Sequence, residues 1–287
     1  MKPVELSFHA AASIDDALAL LSSLGEDSKI IAGGQSLGPM LNYRVARPTN
    51  LVEIRRIAAL RDIGGDTESL CIGAAVSHST IEDWNGGSPL ERFLSSVARG
   101  IAYRAIRNRG TIGGSLAHAD PAADWPVVVS ALNANLEIHS RERKRVVPAR
   151  EFFIDQMETA LAPEDVLVSI RFAKGSPRRK YGYHKIARKT GEFADSIAAV
   201  SLDVNADGTV CEASVWLGAA LTTPCQLTEV EAVLTNRPVD DWREEKIFEA
   251  VRNWLPAPES AYENYKVQLH CVAVTRALKD ALRGMPE

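Results

Sequence analysis

Two short segments place adjacent glycines beside hydroxyl residues: Ile30 to Leu37, reading IIAGGQSL, and Thr111 to Leu116, reading TIGGSL. Paired glycines reach positive φ and let a ligand lie against bare amides, and a following serine can cap a helix whose first N–H groups point outward. Backbone of this kind holds a phosphate with few charged side chains. Gly33 and Gly113 are 80 positions apart, and two such sites imply two loops closing on a single diphosphate. The candidate ligands are the amides of Gly33, Gly34, Gly113 and Gly114 with the hydroxyls of Ser36, Thr111 and Ser115. Either segment alone reads equally well as a tight turn between strand and helix.

The elements that must present these segments follow from hydrophobic periodicity. Ser13 to Leu24 opens on a capping serine and an acidic first turn, then repeats apolar residues at helical spacing until Gly25. Lys29 to Ala32 is a strand running into the first glycine pair, Ser36 to about Tyr43 a helix, and Asn50 to Ile54 a second strand. Further strands are expected at Ser69 to Ile72, Asn135 to His139, Lys144 to Val147 and Val166 to Phe172, and helices at Ser79 to Trp84, Leu90 to Gly100 and Asp124 to Leu132. The stretch Lys174 to Lys180, KGSPRRK, marks a boundary. Beyond it Tyr181 to Ala187, Ile197 to Asn205 and Val210 to Leu217 alternate as antiparallel strands. Helices at Thr228 to Leu234, Asp240 to Trp254 and Tyr262 to Leu282 finish the chain.

Composition narrows the classes of function. The 287 residues carry a net charge of −4, with basic residues scattered apart from two local clusters, which excludes a nucleic-acid footprint. Met1 to Ala10 has one lysine and no long apolar run, and no stretch approaches a membrane span of roughly 18 apolar residues. The chain reads as soluble and cytoplasmic. Cys71, Cys211, Cys225 and Cys271 are far apart, without the close spacing that an iron–sulfur cluster or a zinc site requires.

Three runs together resemble the FAD-binding medium subunit of molybdenum hydroxylases, the group of carbon monoxide dehydrogenase, quinoline and nicotine hydroxylases and the xanthine dehydrogenase flavin domain. They are Ala32-Gly33-Gly34-Gln35-Ser36-Leu37, then Arg107-Asn108-Arg109-Gly110-Thr111-Ile112-Gly113-Gly114-Ser115, then Leu116-Ala117-His118-Ala119-Asp120-Pro121-Ala122-Ala123-Asp124. The resemblance spans essentially the whole chain. It implies an α+β fold: a vanillyl-alcohol-oxidase-like (PCMH-type) FAD-binding domain over 1–176, with α/β subdomains of about 1–55 and 56–176. A flavoprotein domain over 177–287 would follow, with a three-stranded antiparallel sheet and helices. A dinucleotide fingerprint of the Rossmann type fits less well, since neither motif is G-x-G-x-x-G and no acidic ribose partner stands at the required distance.

By the same resemblance FAD is bound non-covalently, its pyrophosphate held by Ile31, Ala32, Gly33, Gly34, Gln35, Ser36 and Leu37 and by Thr111, Gly113, Gly114 and Ser115. Asp124 would contact the ribityl and phosphate region, with a dipole-favoured acid at a helix start as the plainer account. Ile101 would line the pocket, the Leu167 amide would face the flavin ring, and Lys185 would lie at its pyrimidine end. Phe193 stands where relatives carry Tyr or Trp over a flavin face. Arg104, Arg107 and Arg109 read first as a solvated or subunit-facing stripe, Asp120 as the end of a turn, and His118 as too distant from the ring to tether it. Ala261 to Lys266 lacks the glycine that relatives carry near the C-terminus.

The resemblance further implies a large molybdenum-cofactor subunit and a small [2Fe-2S] subunit as partners, arranged as a dimer of heterotrimers, with no catalytic residue or metal ligand on this chain. The expected function is electron transfer from iron–sulfur clusters through FAD to a terminal acceptor. The rivals are a self-contained FAD oxidoreductase acting on a small substrate, and a nucleotide-binding module without redox chemistry.

Overall fold

The computed structural model describes residues 5–283. The chain opens with a small parallel unit: β1 (Ser7–Ala10), α1 (Ile14–Leu24), β2 (Ser28–Ile31), α2 (Leu37–Asn42) and β3 (Asn50–Glu53), the strands ordered β1-β3-β2. Helix α1 starts where expected, because the Ser13 side chain accepts the Asp16 N–H, and it buries Ala17, Leu18 and Leu21 against Val52 and Ile54. Strand β1, absent from the sequence reading, pairs in register with β3, Ala10 opposite Glu53.

A second unit follows: β4 (Ile63–Gly65), β5 (Ser69–Gly73), α3 (His78–Glu82), α4 (Pro89–Arg99), α5 (Arg104–Arg107), α6 (Ile112–His118), α7 (Asp124–Ala131), β6 (Asn135–His139), β7 (Lys144–Pro148), α8 (Ala149–Phe152), β8 (Phe153–Asp155), β9 (Glu158–Thr159) and β10 (Val166–Ala173). Its antiparallel sheet runs β4-β5-β10-β6-β7, so the late strand β10 lies at the centre. Helix α4 is set by a reciprocal cap in which Ser88 Oγ accepts the Glu91 N–H at 3.2 Å and Glu91 Oε2 accepts the Ser88 N–H at 3.0 Å.

The last unit comprises β11 (Lys180–Ile186), β12 (Ser196–Val204), β13 (Val210–Gly218), β14 (Cys225–Gln226), α9 (Thr228–Leu234), α10 (Glu244–Trp254) and α11 (Ala261–Arg283). Its sheet has four strands, ordered β11-β12-β13-β14, where three were expected. The extra strand is two residues long, paired with Trp216 and Leu217, and too short for alternation to reveal it. Helix α11 packs Val267, Cys271, Val274 and Leu278 onto one side of this sheet. The other side joins the middle unit, since Tyr181, Ile197, Ala199 and Trp216 share one apolar cluster with Phe93, Leu94, Trp125 and Val128. Among the described residues no helix is long and apolar enough to cross a membrane.

Candidate functional site

The two glycine motifs meet backbone to backbone. A Cβ built on Gly33 would stand 2.1 Å from the Arg109 carbonyl oxygen and 2.7 Å from Gly110 Cα, so only glycine allows the first turn to rest on the strand of chain entering the second motif. Gly34 takes φ +68, a left-handed conformation that glycine adopts without steric cost. Ile31 ends β2, Ala32 to Ser36 form the turn, and Leu37 is the first residue of α2. Gln35 folds back, its Nε2 donating to Gly33 O at 3.0 Å. Among the described residues no acceptor takes the N–H groups of Gly33, Gly34, Gln35 or Ser36. Four successive amides without an acceptor in a glycine turn are the kind of backbone that can take an anion.

The second motif is built differently from the loop expected. Gly113, Gly114 and Ser115 lie inside the first turns of α6, and its cap is Thr111, whose Oγ1 accepts the Gly114 N–H at 3.1 Å. Capping falls to Thr111 because it precedes the glycines in extended conformation, at φ −120 and ψ 152, whereas Ser36 makes no side-chain cap on α2. The other amides are also engaged: Ile112 N donates to Val76 O at 3.1 Å, Gly113 N to Ala74 O at 2.9 Å and Ser115 N to Thr111 O at 3.0 Å. Gly113 fits because a Cβ there would strike Ala74 at 2.4 Å. What this motif presents is the exposed Gly114 edge and the Ser115 hydroxyl, which has no hydrogen-bond partner among the described residues.

His78 fastens the motif to α7. Its backbone N–H donates to Gly110 O at 2.9 Å and its Nδ1 accepts the Trp125 indole N–H at 3.0 Å. Burial, with the nearby Arg107 charge, pulls this imidazole down to about 4, so it is neutral and carries its proton on Nε2.

A second cluster lies in the crevice between the middle and last units. Lys185 Nζ, from β11, donates to Asp124 Oδ1 at 2.9 Å and to Gly100 O at 3.0 Å. Tyr183, two residues earlier on the same strand face, donates its hydroxyl to the same oxygen. Asp124 is the first residue of α7 and only 6% exposed, so two donors and a helix N-terminus hold its charge. Burial, then the Asp124 charge and its hydrogen bond, push the Tyr183 phenol well above its usual range. A concavity of roughly 350 Å³ opens beside the pair, lined by Gly100, Tyr183, Lys185, Lys189, Thr190 and Gly191.

The remaining expected residues take distinct places. Ile101 follows Gly100 and is half-buried against the main apolar cluster. Leu167 is buried in β10, and its neighbour Val168 reaches the second motif through Ala74, which donates to Val168 O at 2.8 Å and accepts from Gly113. Phe193 is 64% exposed in the turn between β11 and β12. That turn rests on Tyr103, whose ring a Cβ on Gly191 would meet at 3.0 Å.

Arg104 and Arg107 are structural, while Arg109 is exposed. Arg107 grips Glu82 with Nε at 2.7 Å and Nη2 at 2.9 Å, and its Nη1 donates to Ile101 O at 2.9 Å and Ala102 O at 2.8 Å. Ala102 has φ +42, and these bonds hold that turn beside Gly100. Arg104 is paired with Asp83 and with Glu82. Asp120 Oδ1 accepts the Ala122 N–H at 2.9 Å and shapes the turn between α6 and α7. Sequence reading missed Tyr183 and the Glu82 pairing. The i, i+2 spacing of Tyr183 and Lys185 on a strand was the available signal for the first.

Comparison with known proteins shows the family. Residues 4–174 match the family of FAD binding domains in molybdopterin dehydrogenase, and residues 181–281 match the CO dehydrogenase flavoprotein C-terminal domain. The carbon monoxide dehydrogenase medium chain of Afipia carboxidovorans is 34% identical, over 98% of each chain. The 6-hydroxypseudooxynicotine dehydrogenase complex subunit alpha of Paenarthrobacter nicotinovorans is 33% identical over 98% of this chain and 96% of its own. The solved CO dehydrogenase of Oligotropha carboxidovorans superposes with a TM-score of 0.90 at 31% identity, covering 98% of this chain and 99% of that one. The chain therefore belongs to the molybdopterin-dehydrogenase FAD-binding family, as an FAD-binding oxidoreductase subunit with a CO dehydrogenase-type flavoprotein C-terminal domain.

Proposed function

We propose that this chain is the electron-transfer flavoprotein of a heteromeric molybdenum hydroxylase. Electrons from iron–sulfur clusters on a small partner chain would pass through FAD here to a terminal acceptor, while hydroxylation takes place at a molybdenum cofactor on a large partner. The observation that carries the reading is the row of four unpaired amides from Gly33 to Ser36, seated directly on the second motif. That receptor suits a diphosphate, with the Ser115 hydroxyl and the Gly114 edge as its other wall.

Bound FAD would supply reversible two-electron and one-electron chemistry. The protein's own residues bind and orient it. Asp124 Oδ1 is saturated by Lys185 and Tyr183, which leaves Oδ2 to accept a hydroxyl from the ribityl chain. Lys185 would offer a cation to the pyrimidine end of the ring, tempered by the carboxylate it holds. Phe193, exposed in the turn that follows β11, would supply an apolar cover without a hydroxyl. Two of the four cysteines, Cys225 and Cys271, are buried, with their thiols directed to the Leu217 and Phe248 carbonyls. The FAD-binding part is assigned to 1–176 and the C-terminal part to 177–287, and the assembly to a dimer of heterotrimers.

Purification under native conditions tests the reading. The expected result is copurification with a large chain containing molybdenum and a small chain containing iron and sulfide. A monomer that oxidises an organic substrate unaided would overturn it in favour of a self-contained oxidoreductase.

A further inference from the structure

Glu53 is the last residue of β3, in the middle of the parallel sheet, and it is 7% exposed. Its Oε2 is buried without a hydrogen-bond partner among the described residues. Arg56 Nε makes a long ion pair with it at 4.0 Å, from a side chain that is itself 85% exposed and free to leave. A buried carboxylate oxygen with no hydrogen bond and only a distant, solvated counter-ion is costly, so the site is complete only when another group supplies a donor.

Its position shows which group. Glu53 pairs with Ile31 in the parallel ladder, and register partners on neighbouring strands project from the same face of the sheet. The Ile31 side chain lies under the first glycine turn, because a Cβ on Gly34 would meet Ile31 Cδ1 at 3.4 Å. Glu53 therefore stands beside the residue on which the unpaired amides rest, at the carboxyl ends of parallel strands, where open α/β sheets take their ligands. An ionised carboxylate only accepts hydrogen bonds and repels phosphate oxygens, so it serves a hydroxyl-bearing neighbour of the diphosphate. On the function proposed above, Asp124 and Lys185 take the flavin half. The half left for Glu53 is the adenosine, with its vicinal ribose diol.

We propose that Glu53 binds the adenosine ribose of FAD, its carboxylate accepting the ribose hydroxyls. This rests on assigning the first glycine turn to the pyrophosphate. The chain thus brackets one diphosphate with two carboxylates, Asp124 on the ribityl side and Glu53 on the ribose side.

The test uses the full chain stripped of flavin, titrated with FAD and, in competition, with ADP, 2′-deoxy-ADP and 3′-deoxy-ADP. Wild type should prefer ADP to at least one deoxy analogue by about 10-fold, the size of one hydrogen bond to a charged group. Glu53→Leu should weaken FAD by about 10-fold and bring all three nucleotides within about 2-fold of one another. The same substitution should leave the flavin-free protein as stable or more so, because a buried carboxylate oxygen without a hydrogen bond is removed and the ion pair lost is long and solvated. Glu53→Gln gives the same order at smaller amplitude and serves if the leucine variant does not fold. Undiminished discrimination in the variants, or none in wild type, overturns the proposal. So does a loss of flavin-free stability with unchanged FAD affinity, which marks a structural partner of Arg56. Failure of wild type to bind either FAD or ADP strikes the pyrophosphate assignment itself.

Discussion

Gly33→Ala probes the contact on which the two-motif receptor depends. Gly33 does not have a positive φ, so alanine brings no backbone strain and the whole effect is steric. The new Cβ would stand 2.1 Å from Arg109 O, and the two backbones must part by about 0.9 Å to reach even a 3.0 Å contact. Both neighbours are main chain, held by the Gly110 N–H bond to Ile106 O at 2.8 Å and the His78 N–H bond to Gly110 O, so no side chain can swing aside. Overpacking of this kind costs about 1–3 kcal/mol in stability. A shift of this size also takes one wall of the receptor out of hydrogen-bond range. Loss of a single charge-assisted bond of about 2 kcal/mol corresponds to roughly 30-fold in affinity. The assay is an FAD fluorescence titration beside thermal melting of the flavin-free chain. Gly38→Ala is the control: it lies in α2 with nothing within 4 Å of its Cβ, and should raise stability by about 0.5–1 kcal/mol without changing FAD affinity. A Gly33→Ala protein with wild-type affinity and melting temperature would refute the reasoning.

Three further outcomes are expected. Lys185→Met leaves Asp124 buried with Tyr183 as its remaining side-chain partner; chemical denaturation should show a loss of about 3 kcal/mol, largely recovered in the double variant Lys185→Met/Asp124→Asn. Gly114→Val sets a Cβ 2.8 Å from Thr111 Oγ1 and covers the exposed edge of α6, so far-UV circular dichroism should stay native while FAD content of the purified protein falls. His78 and His270 are held neutral chiefly by burial, at about 4 against an ordinary 6.5. The unfolded chain therefore binds protons first as pH falls from 6.5 to 4, and guanidinium unfolding should show each imidazole removing roughly 3 kcal/mol across that window, less in His270→Gln.

Much of the site was legible because its ingredients are local. The first glycine turn, the strand before it and the start of α7 at Asp124 are all written in contiguous residues. The character of the second motif was not, because whether two glycines form a loop or the first turn of a helix depends on the Thr111 cap and on acceptors from Ala74 and Val76, some 35 residues upstream. Strands β1 and β14 escaped for a related reason: each is four residues or fewer, and each becomes a strand only by pairing with a distant partner. Arg104 and Arg107 could not be assigned from sequence alone, since Glu82 and Asp83, which pair with them, lie more than 20 positions away. Glu53 looked like the end of an ordinary strand, and only its burial with an oxygen free of hydrogen bonds marks it.

The central claim is that the Gly33 to Ser36 turn, resting on the second motif, holds FAD in this chain. Its most direct measurement is flavin stoichiometry and affinity of the full chain, purified under native conditions, set against the Gly33→Ala form prepared in the same way. The account predicts one non-covalently bound FAD per chain, released intact on denaturation, and a roughly 30-fold weaker complex in the variant. No flavin bands in the reconstituted wild-type protein, or equal FAD retention by the two forms, would contradict it.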